Sequence, residues 1–110
     1  MDQNEFLETH IFSNLKGTTN GVETNPVHFF TEADFQVVLE RIEHFGISVY
    51  QIEPFLDGKS FGIQTNEDLK KKATDVRWYG KAFSTFKHQQ PGMLYSATYK
   101  VPTKLLARYS

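Results

Sequence analysis

From Ile47 to Thr65 apolar and polar residues alternate on either side of Leu56-Asp57-Gly58-Lys59. Asp-Gly at such a point predicts a two-residue type I′ turn. Both central residues of that turn need φ > 0, which glycine adopts freely and aspartate tolerates. The predicted register sets Leu56 against Lys59, Phe55 against Ser60, Pro54 against Phe61, Ile52 against Ile63 and Gln51 against Gln64. One face then gathers Tyr50, Ile52, Leu56, Phe61 and Ile63. The other carries Gln51, Glu53, Ser60, Gly62 and Gln64, with only Val49 and Phe55 apolar. A one-residue slip would scramble that division. A lone hairpin is marginal in water, so the flanking chain has to cover this sheet.

In residues 6–15, Leu7, Thr9, Ile11, Ser13 and Leu15 alternate with Phe6, Glu8, His10 and Phe12. That predicts a strand buried on both faces, although the recurrence of Leu7, Ile11 and Leu15 every four residues also fits a helix. Lys16 to Pro26 is rich in Gly, Thr and Asn without periodicity, and residues 16–30 read as a long loop. Thr31 then caps a helix, with Asp34 at N3 and Phe30 and Phe35 placed as a hydrophobic staple. Phe35, Val38, Leu39, Ile42 and Phe45 form its apolar stripe, and Gly46 supplies the αL stop. A second helix is expected from Thr65 or Asn66 through Leu69, Ala73, Val76, Phe83 and Phe86, with Thr74-Asp75 as a possible fresh cap near a break at residue 73. Gln89-Gln90-Pro91-Gly92 ends it. Met93, Tyr95, Ala97, Tyr99 and Val101 alternate with Leu94, Ser96, Thr98 and Lys100, a last strand stopped by Pro102 before a tail over 102–110.

A chain of 110 residues can hold one core, burying about two-thirds of its unfolded surface, and is expected to be a single domain over 1–110. Twelve basic and thirteen acidic residues leave a net charge of −1, so no basic footprint for nucleic acid or anionic membrane is present. No cysteine is present, which removes disulfides, Cys-ligated zinc and a thiol nucleophile. Without a basic n-region, an apolar leader or a run of ~20 apolar residues, a cytoplasmic location away from membranes is expected. Aromatics reach 15%, more ring area than one small core usually needs, which suggests a pocket or a subunit interface.

The predicted order, strand, helix, two-strand hairpin, helix, strand, is the β-α-β-β-α-β pattern of an α+β, ferredoxin-like fold: an antiparallel sheet with two helices on one face. Two helices cover one side only, and an aromatic face left bare needs a partner. In element order, length and aromatic open face the chain resembles the dimeric α/β-barrel families, a resemblance that spans nearly the whole chain. It implies a homodimer joined through the open sheet face, with a small-molecule pocket between sheet and helices. Those families include antibiotic-biosynthesis-type monooxygenases, haem-degrading monooxygenases and proteins of unknown activity, and fold alone does not choose among them.

Candidate chemistry is sparse. His10, His28, His44 and His88 lack the HxH, HxxxH and HExxH spacings, so no preassembled metal site is expected. His44 and His88 each fall in the last turn of a predicted helix, where an imidazolium suits the dipole. The resemblance to the haem-degrading members gives His88 a second reading. They carry a Trp and a His ten residues apart on the second helix and an Asn on the first strand, and Trp78, His88 and Asn14 stand here at comparable places. An oxygenase without cofactor would instead use an aromatic cavity. Tyr50, Trp78, Tyr95 and Tyr99 could line it, with His10 or Arg77 as polar partner, and core filling is the alternative role of the same rings. Three functions stand: a homodimer binding a small apolar or aromatic ligand, a monooxygenase on the same scaffold, and an interaction module without ligand.

Overall fold

The computed structural model describes residues 1–20 and 27–109. The turn at Asp57-Gly58 forms as its dipeptide dictates, with φ of 53° and 79°. It joins strand β3 (Ser48–Leu56) to the short β4 (Lys59–Ser60), Leu56 facing Lys59 and Phe55 facing Ser60. Two short strands, β1 (Thr18–Asn20) and β2 (Val27–Phe29), precede them in the chain.

The second arm does not hold its expected register. The Phe61 N–H donates to the Pro54 carbonyl at 2.8 Å, but Pro54 has no N–H to return to Phe61, and the arm peels away there. Pairing resumes in β5 (Gln64–Thr65) one place late, with Ile52 against Gln64 and Gln51 against Thr65. Phe61 and Ile63, expected on the buried face, are 40% and 53% exposed.

A second departure lies in β3 itself. Its pairing with β6 (Leu94–Lys100) shifts between Val49 and Gln51, so Tyr50 is the extra residue of a bulge. The bulge reverses parity. Val49 and Ile52, assigned to opposite faces by alternation, both lie fully buried, and Tyr50 turns outward at 43% exposure.

Helix α2 (Glu32–Phe45) matches its sequence signals. Thr31 Oγ1 accepts the Asp34 N–H at 3.3 Å, and Gly46 ends the helix at φ 70°. The other half of a capping box is missing, because the Asp34 carboxylate accepts from Lys16 N–H at 3.1 Å instead. Helix α3 begins at Val76, not at Thr65 or Asn66, and runs to Gln89 with Asp75 as cap. Residues 65–71 form one isolated turn. Thr65 and Asp68 bond each other's N–H reciprocally at 3.2 and 3.1 Å, and Lys70 at φ 54° turns the chain out after five residues.

Residues 6–15 are not a strand. Asp2 caps a short α1 (Gln3–Phe6), which widens into a π-helical stretch (Leu7–Ile11) closed by Phe12 N–H to Leu7 O at 2.8 Å. A π-helix brings i and i+5 into line, so Phe6, Leu7, Ile11 and Phe12 are all buried. That two-sided burial is what imitated a strand. Arg41 Nη1 donates to the Ile11 and Ser13 carbonyls at 2.9 and 2.8 Å, tying the end of this segment to α2.

The expected loop over 16–30 holds strands β1 and β2, paired antiparallel with Thr19 opposite His28; residues 21–26 between them lie outside the described residues. After β2, Phe30 bridges Tyr95, so β6 stands between β3 and the Phe30 bridge while β4 and β5 line the other edge of β3. In the tail, α4 (Thr103–Arg108) precedes Tyr109, whose ring packs 5.5 Å from Phe6.

The architecture is thus mixed α+β with a small antiparallel sheet. One sheet face, carrying Val49, Ile52 and Tyr95, is buried against Phe35, Val38 and Ile42 of α2 and Trp78, Tyr79 and Phe83 of α3. Among the described residues no helix is long and apolar enough to cross a membrane.

Candidate functional site

The face of the sheet turned away from α2 and α3 divides into two parts. Beyond the bulge, Gln51, Glu53 and Phe55 of β3 stand opposite Thr98, Ser96 and Leu94 of β6. At the hairpin end this strip is apolar. Phe29 meets Phe55 edge to face at 5.1 Å, Leu94 is 41% exposed, and with Gly58 and Gly92 they border a recess of about 510 Å³. Towards the N-terminal segment the strip is polar, and there the chain forms a cleft of about 320 Å³.

Three elements build the cleft. The strip supplies Gln51, Glu53, Ser96 and Thr98; β2 supplies Val27 and His28; the N-terminal segment supplies Gln3, Asn4, Leu7 and Phe12. Gln3 is fixed by its carboxamide, which donates to the Tyr99 carbonyl at 3.1 Å and accepts the Val101 N–H at 2.9 Å. The His28 ring lies 4.6 Å from Phe12, and burial lowers its pKa below the ordinary 6.5, the Glu8 carboxylate opposing in part. A neutral imidazole beside a carboxylate, two hydroxyls and three carboxamides can orient a polar ligand by hydrogen bonds.

Of the residues expected to line a pocket (His10, Tyr50, Arg77, Trp78, His88, Tyr95 and Tyr99), Tyr99 alone borders this cleft. Its hydroxyl is buried with no partner among the described residues, and burial pushes its pKa up. Tyr95 lies in the core, stacked on Phe35 at 5.3 Å, with its hydroxyl pushed to about 12 by burial. Trp78 is fully buried and its Nε1–H donates to the Val49 carbonyl at 3.1 Å, satisfying the bulge. Tyr50 is exposed at that bulge. His10 joins Phe6 and Tyr109, both 4.7 Å away, where the N-terminal segment meets the tail. Arg77 is exposed and paired with Asp75 at 2.7 Å. His88 is exposed, with Nδ1 2.7 Å from the Ser84 carbonyl.

These residues do not converge. Trp78 is held in the core, His88 points outward on α3, and Asn14 occupies a left-handed turn at φ 65° after the π-helical stretch. Trp78, fully buried with its Nε1–H committed to Val49 O, and His88, exposed on α3, do not face a common space as a haem site would require. The cleft residues that sequence reading missed, Gln3 and His28, come from segments whose docking no local pattern encodes. Gln51, Glu53, Ser96 and Thr98 were legible as a polar strand face. Comparison with known proteins brings no matching family model, no matching curated protein and no matching solved structure.

Proposed function

We propose that this protein binds a small molecule in the cleft at β6 and acts as a homodimer whose subunits meet through the sheet face opposite α2 and α3. The observation that carries the reading is the cleft itself, in which one carboxylate, one imidazole and several amide and hydroxyl groups converge beside the rings of Phe12 and Tyr99. From Val27 onward the elements run strand, helix, hairpin, helix, strand, the element order of a ferredoxin-like fold, although β6 pairs with β3, two strands that a ferredoxin-like sheet sets at opposite edges. The apolar end of the open face supports the dimer. Leu94 is 41% exposed beside Phe29 and Phe55, and a net charge of −1 opposes self-association little. The cleft is lined by the rings of Phe12, His28 and Tyr99 and by no residue of α3.

Native mass spectrometry of the purified protein at two micromolar concentrations tests both parts. The expected species carries twice the 12.7 kDa chain mass plus a low-mass adduct, and Leu94→Glu reduces it to one chain. A bare single-chain mass at both concentrations overturns the reading.

A further inference from the structure

The sheet beneath the cleft carries a definite pattern. Gln51 and Glu53 stand two places apart on β3, opposite Thr98 and Ser96 of β6, so four polar side chains form a rectangle on one face. Directly opposed side chains in such a pair lie about 5 Å apart. Each of the four ends in an oxygen that accepts hydrogen bonds. Ser96 uses its single hydroxyl hydrogen on the Glu53 carbonyl, at 3.4 Å, and is left as an acceptor.

Charge follows the same bias. Glu53 is half-buried, makes no ion pair among the described residues, and no hydrogen bond there reaches its carboxylate. No lysine or arginine among the described residues borders the cleft, and Lys100, next along the outward side of β6, is exposed beyond Thr98. A carboxylate drawn partly out of water without a counter-charge favours a cation beside it.

The remaining walls are apolar: Leu7 and Val27 border the same space, with the rings of Phe12 and Tyr99 tilted at 59° and 5.8 Å apart. We infer that the cleft takes a primary ammonium on a short aryl-alkyl chain, its N–H donors on the acceptor rectangle at Glu53 and its ring against Leu7, Phe12 and Val27. An ammonium has three donors and no acceptor, the complement of this floor, and its bond to Glu53 is charge-assisted. The rings add cation–π attraction. An anion would meet Glu53 as a like charge. At about 320 Å³ the space is at the small end of ligand pockets, roughly 300–1,000 Å³, which suits a single ring. The assignment rests on the cleft being a ligand site.

Amide-resolved NMR titration of the whole chain tests it with phenethylammonium, 2-phenylethanol and 3-phenylpropanoate, which carry one phenethyl group and a positive, neutral or negative end. The amides of Gln51, Glu53, Ser96 and Thr98 are expected to move and saturate with the ammonium. It should bind about tenfold or more tightly than the alcohol, the factor that a bond to a charged group brings. Added salt should narrow that gap. Glu53→Gln should close it while leaving the alcohol unchanged; if that variant folds poorly, the three probes on the wild-type chain decide. Equal binding of ammonium and alcohol overturns the role of Glu53 and spares the cleft. Binding of the propanoate in place of the ammonium overturns the ligand class and again spares the cleft. Silence towards all three overturns the class, and the cleft with it where native mass spectrometry finds no adduct.

Discussion

Asp75 and Arg77 form a local unit that works through one carboxylate. Asp75 Oδ1 caps α3 by accepting the Arg77 N–H at 2.9 Å, and both of its oxygens accept from the guanidinium at 2.7–3.2 Å. Those guanidinium bonds, and then the backbone N–H, hold the Asp75 pKa at about 2, against an ordinary 3.8. A carboxylate depressed by folding stabilises the native state above its unfolded pKa and loses that contribution as pH falls towards the folded value. The loss therefore falls between pH 3.8 and about 2. Carbon-detected NMR titration of Arg77→Ala should show the Asp75 midpoint climbing towards 3.8, while salt weakens the wild-type shift because the guanidinium is exposed. An unmoved midpoint would assign the depression to the cap alone. At this scale the sequence spoke in two voices. The type of Asp75, after Thr74 and before an apolar stripe, announced a cap. The type of Trp78 announced only that a large ring with one donor needed a home. Its partner, the Val49 carbonyl, exists because of a bulge that no residue type signals.

Helix α3 carries Gly80 in its second turn, facing the groove between α2 and α3. A Cβ built there meets nothing nearer than a Val76 methyl at 3.9 Å, so no neighbour needs the bare backbone. Gly80→Ala should then raise stability by about 0.5–1 kcal/mol, read from urea unfolding at unchanged m-value, through the lower entropy cost of alanine in a helix. A loss of stability would mean that the helices close further than the groove of about 180 Å³ suggests. The elements that were legible carry their own punctuation: Thr31 and Gly46 around α2, Asp57-Gly58 in the hairpin, Pro102 after β6. Elsewhere two local rules competed. Thr65 and Asp68 did form their reciprocal bonds, yet the turn they nucleate ends at Lys70 without reaching α3. Residues 6–15 satisfied a two-residue and a four-residue period at once, and a five-residue helical repeat reconciled them. Pro54 was visible in the hairpin from the outset, and its missing donor is the cause of the shifted second arm.

For the whole molecule, the alternation along β6 largely holds: Met93, Tyr95 and Val101 are buried and Leu94, Thr98 and Lys100 exposed, while Ser96, on the side of the latter three, is buried. What alternation cannot encode is how separate segments meet. The N-terminal segment reaches β6 across 96 residues through the Gln3–Tyr99 bond, and β2 joins the same edge through Phe30. The cleft is a product of that meeting and of nothing local, which is why its residue list could not be written in advance. The Gln3 carboxamide also has a protective consequence. By imitating a neighbouring strand it blinds the end of β6 to other chains, and bare strand edges template aggregation. Gln3→Ala should leave far-UV circular dichroism unchanged while amyloid-dye fluorescence rises on prolonged incubation; a variant that stays as clear as wild type would show that the edge is guarded by something else. One surface amide then governs shelf life as well as shape.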